Sequence, residues 1–205
     1  MKAAELKPFY NKIFRIEEVK NYFHESATTI RVQLSRLSKN KKLIRLKKNL
    51  YTLPDFHPDF FMIGQHMVEP SFYSLESVLS MHGIIPEGAS TYTLITSKKT
   101  QHYTNQFGKF SYRHLSPNLF FGVEKREDGV LMAVPEKALL DYLYLNSSKF
   151  KADFAYFQAE RFDELDTLNF SLLKKWAKHY GMKKLRDLVA SLEKYKASEE
   201  YQGHR

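Results

Sequence analysis

Residues 26–53 read Ser-Ala-Thr-Thr-Ile-Arg-Val-Gln-Leu-Ser-Arg-Leu-Ser-Lys-Asn-Lys-Lys-Leu-Ile-Arg-Leu-Lys-Lys-Asn-Leu-Tyr-Thr-Leu. The first half has helical periodicity. Ile30, Leu34 and Leu37 recur at i, i+4, i+7 and make one apolar stripe. The spacing predicts a helix from about Thr28 to Lys39, with Ser26 or Thr28 as its N-cap. The other faces carry Thr28, Thr29, Arg31, Gln33, Ser35, Arg36 and Lys39. Those side chains reach phosphates and base edges when a helix lies in the major groove. The second half changes period. Leu43–Lys47 alternates as a strand, and Leu50–Leu53 reads as its partner. Lys48-Asn49 can turn between them, because Asn tolerates left-handed backbone angles.

Upstream, Ile16, Val19, Tyr22 and Phe23 fall at helical spacing, with Glu17 and Glu18 in the first turn where the helix dipole favours acids. His24–Ala27 reads as a short turn. An earlier helix is expected over Ala4–Ile13, shortened or offset by Pro8. Helices, a recognition-like helix and a basic hairpin make a winged helix-turn-helix over residues 1–54. Leu53-Pro-Asp-Phe-His-Pro58 marks a junction, with a second domain over residues 59–205.

The charge supports this division. Of 205 residues, 32 are Lys or Arg and 23 are Asp or Glu, a net of +9. Residues 1–53 alone hold 13 basic side chains against 4 acids, while residues 54–205 hold 19 of each. All of the net charge sits in the first quarter, which points to an anionic partner, most often nucleic acid. Lys41, Lys42, Arg45, Lys47 and Lys48 concentrate it around the hairpin. A hairpin that docked another protein would have no need for so much charge.

Composition excludes other classes. With no Cys there is no disulfide scaffold, Cys-ligated zinc, iron–sulfur cluster or thiol nucleophile. A chain 43% hydrophobic and 15% aromatic is too rich to be disordered. No apolar run approaches the roughly 20 residues of a spanning helix. Met1–Tyr10 lacks an apolar h-region, so the expected setting is cytoplasmic.

The remainder reads as a mixed α/β domain with a small sheet and C-terminal helices, an α+β protein overall. Phe60–Met67 suits a short helix. Phe72–Gly83 reads as a helix capped by Ser74, with His82 and Gly83 ending it. Short strands, read as antiparallel, are expected at Thr91–Thr96, Phe110–Leu115, Leu119–Val123 and Val130–Ala133. Pro135 opens a helix at N1. Beyond residue 148, Leu172, Leu173, Trp176, Ala177 and Tyr180 form one stripe, and Leu185, Leu188, Val189, Leu192 and Tyr195 another. Lys174, Lys175, Lys178, Lys183, Lys184 and Arg186 lie opposite these stripes, as a solvated face or a second contact for DNA or a toxin. Glu199–Arg205 is expected to fray.

Two stretches resemble a known family. Ser71-Phe-Tyr-Ser-Leu-Glu-Ser-Val-Leu-Ser-Met-His-Gly83 and Ala133-Val-Pro-Glu-Lys-Ala-Leu-Leu-Asp-Tyr-Leu-Tyr-Leu145 are similar to signature stretches of the AbiEi antitoxins of type IV, abortive-infection toxin–antitoxin systems. The likeness spans roughly residues 10–147 and includes Leu43–Tyr51. Asn49 departs from the glycine usual before the final Tyr of that turn, and no motif after residue 150 can be matched. The resemblance implies a DNA-binding N-terminal domain that represses its own operon, and a C-terminal domain that counters a nucleotidyltransferase-like toxin. Solo relatives without a toxin also exist.

Signals for catalysis are few. Glu136 and Asp141 lie five apart, about 140° round a helix, and do not share a face. Glu136 near N2 suits the helix dipole. The eight histidines show no His-x-x-x-His or His-Glu-x-x-His spacing, so neither a metal nor a cofactor is expected. There is no P-loop, Rossmann fingerprint, Gly-x-Ser-x-Gly, or the Gly-Ser and Asp-x-Asp of a nucleotidyltransferase. The expected function is therefore a non-enzymatic repressor of double-stranded operator DNA, a monomer or dimer, with a possible cognate toxin. Arg31, Gln33, Ser35, Arg36 and Lys39 would enter the groove, and Lys42, Lys47 and Lys48 would hold phosphates. Thr28 and Thr29 would meet a phosphate at the helix start. The rivals are a protein-docking module without an operator, and a metal-dependent nuclease using Glu76, Glu136 or Asp141.

Overall fold

A computed structural model of the chain describes residues 2–86 and 91–202. The protein is α+β, with a three-stranded sheet near its N-terminus and a six-stranded mixed sheet beyond it. A 3-10 helix over Ala3–Phe9 stands where an α-helix over Ala4–Ile13 was expected. Pro8 sits inside it and cannot donate to a helical ladder. Then come β1 (Phe14–Arg15), α1 (Ile16–Phe23), α2 (Ala27–Lys39), β2 (Ile44–Lys47) and β3 (Leu50–Thr52). The strands pair antiparallel in the order β1-β3-β2.

Ser26 caps α2: its Oγ accepts from the Thr29 backbone N–H at 3.1 Å. Ile30, Leu34 and Leu37 are buried, joining Leu6, Phe9, Phe14, Ile16, Val19, Leu43, Tyr51 and Leu53 in one apolar cluster. Each such side chain stabilises the fold by roughly 1.5–3 kcal/mol relative to leaving it exposed. Asn49 turns the hairpin with φ 66°, a left-handed angle open to Asn.

A second cluster runs through the rest of the chain. Its elements are α3 (Phe60–Met67), β4 (Ser71–Tyr73), α4 (Glu76–Met81), β5 (Thr91–Thr96), β6 (Gln101–Asn105), β7 (Gly108–His114), β8 (Val123–Lys125) and β9 (Leu131–Ala133). Helices α5 (Pro135–Leu145), α6 (Phe154–Ala159), α7 (Phe170–Ala177), α8 (Lys183–Lys196) and α9 (Glu199–Gln202) follow. The sheet order is β6-β7-β5-β4-β9-β8.

Four expectations change here. The sheet is not antiparallel throughout, because β4–β9 and β5–β7 are parallel pairs. Residues 71–73 are a strand and not the start of a helix; Leu75 is the N-cap of α4, and the Ser74 hydroxyl is used elsewhere. Leu119–Val123 is not a strand, because Pro117–Leu119 forms a 3-10 turn and the strand begins at Val123. The C-terminal end is not simply frayed: Glu199–Gln202 is helical and Tyr201 is buried, its hydroxyl accepting from the Leu165 N–H at 2.9 Å. Residues 203–205 lie outside the described residues.

The N-terminal sheet and the larger part touch at defined points. Arg15 donates to the His66 carbonyl at 3.1 Å and pairs with Glu69 at 3.1 Å. Asn105 donates to the Leu46 carbonyl at 3.2 Å. Ile13, Leu46 and Leu50 are buried within the larger cluster.

Candidate nucleic-acid interface

The exposed faces of α2 follow from its stripe. At 100° per residue, Thr28, Val32, Ser35 and Lys39 fall within about 60° of one another. Arg31 flanks them on one side, Arg36 and Thr29 on the other. All seven side chains are exposed. A row of guanidinium, ammonium and hydroxyl donors on one helix is chemically suited to anionic oxygens and base-edge acceptors.

The ten residues singled out from the sequence are not equivalent. Arg31, Arg36, Lys39, Lys42 and Lys48 are exposed, and none makes an ion pair among the described residues. Ser35 and Thr28 are also exposed. Thr29 is partly committed, because its hydroxyl shares a 2.9 Å hydrogen bond with Ser26. Gln33 sits on the flank of the helix, half-buried. Its Nε2 donates to Glu25 at 3.2 Å, and its Oε1 is buried without a hydrogen-bond partner.

Lys47 is the least exposed cation of the ten. It is half-buried at the end of β2, its ammonium 5.3 Å from the Tyr103 ring centroid. Burial holds its pKa below the ordinary lysine value, and the nearby positive charges of Arg15 and Lys98 push the same way. Lys47 therefore braces the hairpin against β6. Lys41 and Arg45 were not on the sequence-derived list, yet both are exposed beside Lys42 and Lys48. Lys41 has φ 56° at the end of the α2 turn. Arg45 donates from Nε to the Lys47 carbonyl at 3.3 Å. Net charge by segment was the signal that contained them; strand alternation alone could not say which would face solvent.

The acids considered for metal chemistry have other partners. Glu136 accepts from the Asn169 backbone N–H at 2.9 Å. Asp141 is fully buried in a polar cluster with Lys137, Tyr180 and Ser74. Glu76 is half-buried at the start of α4. Among the described residues, no group of three or more His, Asp and Glu is placed to hold a metal. Among them too, no helix is long and apolar enough to cross a membrane. No protein-family model matches the chain, and no curated protein matches it.

Proposed function

We propose that the chain is a DNA-binding transcriptional repressor whose N-terminal 54 residues act as a winged helix-turn-helix. In this reading α2 enters the major groove of double-stranded operator DNA. The hairpin β2–β3 lies along the phosphate backbone. Arg31, Ser35, Arg36 and Lys39 meet base edges and flanking phosphates. Lys42 and Lys48 hold phosphates, joined by Lys41. Thr28, one residue into α2, sits where a phosphate is favoured by the helix N-terminus. Lys47 acts indirectly, by bracing the hairpin.

One observation carries the reading. The whole net charge of +9 falls in residues 1–53, and seven of the ten exposed cations there, Arg31, Arg36, Lys39, Lys41, Lys42, Arg45 and Lys48, cluster on α2, the turn after it and the adjoining hairpin, none in an ion pair among the described residues. A solvated surface gains nothing from such segregation, whereas a polyanion gives each cation a partner and releases condensed counterions. Residues 59–205 form the second domain in this proposal. The resemblance at 71–83 and 133–145 supports an autoregulating antitoxin-like repressor, cytoplasmic and non-enzymatic, that counters a nucleotidyltransferase-like toxin.

A gel shift with duplex DNA from upstream of the protein's own gene tests the proposal. A retarded complex at moderate salt, competed poorly by unrelated duplex, is expected. No complex under those conditions would favour the protein-docking module.

A further inference from the structure

Val32 is 46% exposed at the centre of the exposed face of α2. The core stripe cannot explain it. At 100° per residue Val32 lies about 160° from Ile30, 160° from Leu34 and 140° from Leu37. Those three are buried and complete the contact of α2 with its core. Local propensity does not explain it either, because a β-branched residue on a helix surface is slightly unfavourable relative to Ala, Lys or Glu. Its helical neighbours at i−4, i−3, i+3 and i+4 are Thr28, Thr29, Ser35 and Arg36, all exposed and polar. An apolar side chain is thus ringed by the hydroxyls and guanidinium proposed to meet DNA. Val32 is also in the second turn of α2, in the half of a recognition helix that reads base edges.

We propose that Val32 reads the C5 methyl group of a pyrimidine in the major groove, and so makes methyl recognition part of this protein's sequence preference. The inference rests on the DNA-binding reading above. Its chemistry is restrictive. Every major-groove edge carries donors or acceptors, and only a C5 methyl offers apolar surface. Val has no donor or acceptor. Placed over guanine, adenine or unmethylated cytosine, it would desolvate a polar edge and leave it unpaired. Over a C5 methyl, it buries apolar surface against apolar surface.

Thymine and 5-methylcytosine both supply that methyl, and one experiment separates them. The full chain is used to select duplexes from a random 20-base-pair library. The recovered site is resynthesised with each thymine replaced singly by deoxyuridine. At one position per bound half-site, loss of the methyl should weaken binding about fourfold, the effect of roughly one buried methyl. Val32→Ala should bind the thymine and deoxyuridine duplexes equally, a coupling that a merely structural role would not produce. The near-isosteric Val32→Thr, which keeps the branched shape but exchanges one of the two methyls for a hydroxyl, should weaken the discrimination. At the same position, cytosine and 5-methylcytosine opposite guanine show whether the methyl alone suffices. Partial recovery by 5-methylcytosine assigns the preference to the methyl in either base; no recovery assigns it to thymine.

Enrichment of a site with no methyl-sensitive position would overturn this inference and leave the DNA-binding reading standing. The same holds if Val32→Ala retains full discrimination. Failure to enrich any duplex would overturn the DNA-binding reading, and this inference with it.

Discussion

Lys137 and Asp141 form a fully buried ion pair one turn apart on α5. Their partners come from elsewhere in the chain. The Tyr180 hydroxyl donates to Asp141 Oδ1 at 2.7 Å and accepts from Lys137 Nζ at 2.8 Å. The Ser74 hydroxyl, at the end of β4, donates to Asp141 Oδ2 at 2.7 Å. The rings of Phe121, Tyr180 and Phe72 lie 5.0, 5.2 and 5.6 Å from the ammonium. Burial pushes the Asp141 pKa up and the Lys137 pKa down, and each is opposed by the other's charge. Removing one partner leaves a buried charge uncompensated, which typically costs about 3–5 kcal/mol. Asp141→Asn and Lys137→Met are each expected to destabilise by that order in urea denaturation. The double variant Lys137→Met/Asp141→Leu should recover much of the loss, because an apolar pair needs no charge compensation. If either single variant matches the parent protein, the pair is not holding the fold.

This cluster joins two stretches far apart in the sequence. Ser74 comes from the stretch at 71–83, and Lys137 and Asp141 from that at 133–145. The two stretches meet in one buried polar network linking the residue after β4, α5 and the turn after α7.

Gly64 on α3 allows a close approach. A Cβ there would lie 1.9 Å from the Tyr73 hydroxyl oxygen and 2.9 Å from its Cζ. Tyr73 donates to the Phe60 carbonyl at 3.2 Å and is wholly buried, so it cannot step aside. Gly64→Ala should destabilise by about 1–3 kcal/mol or more, through overpacking. Tyr73→Phe removes the nearest clashing atom, so the double variant should be less destabilised than the two single effects added together. Thermal or urea unfolding of the four proteins reads this directly. Strict additivity would show that the contact is not the cause.

Alkaline pH should unfold the protein steeply. Tyr73, Tyr112 and Tyr180 are buried, and in each the desolvation of the phenolate holds the pKa above the ordinary tyrosine value. In the unfolded chain they ionise near pH 10. Above that pH the unfolded state binds fewer protons than the native state, so stability falls as pH rises. Three such groups give a limiting slope of about 4 kcal/mol per pH unit. Lys137, with its lowered pKa, works in the opposite direction only until the unfolded lysine has also lost its proton near 10.5. Urea unfolding between pH 9 and 12 should show full stability near pH 9 and steep loss above 11. Tyr73→Phe should reduce that slope by about a third. A flat profile would mean that these hydroxyls ionise without unfolding the chain.

The legible parts were those with strong periodicity or punctuation. Ile30, Leu34 and Leu37 mark the buried stripe of α2, and Ser26 caps it. Pro135 opens α5, Gly83 follows α4 and Asn49 turns the hairpin. The failures share a cause, in that distant partners decided the outcome. Ser74 looks like a cap by local rules, but Asp141, far along the chain, takes its hydroxyl. Strand β6 (Gln101–Asn105) is polar and was missed, because an edge strand needs few apolar residues. The parallel pairing of β5 with β7 leaves no local trace. Lys137 and Asp141 stand at the i,i+4 spacing of an ion pair, yet only the fold shows that they are buried. In the candidate site, charge segregation marked the segment whose cations are mostly exposed. It could not tell the exposed Lys48 from the braced Lys47, whose ring partner Tyr103 lies on another sheet.

In the proposed function, exposed cations of α2 and the hairpin bind DNA phosphates. The most direct test is the salt dependence of duplex affinity for the parent protein and for Arg36→Ala/Lys48→Ala. Both side chains are exposed, so the variant should keep its fold, which circular dichroism can verify. Each lost phosphate contact lowers the slope of log Kobs against log salt by about 0.9, so the double variant should lose about 1.8 units together with affinity. An unchanged slope and affinity would contradict the placement of this interface.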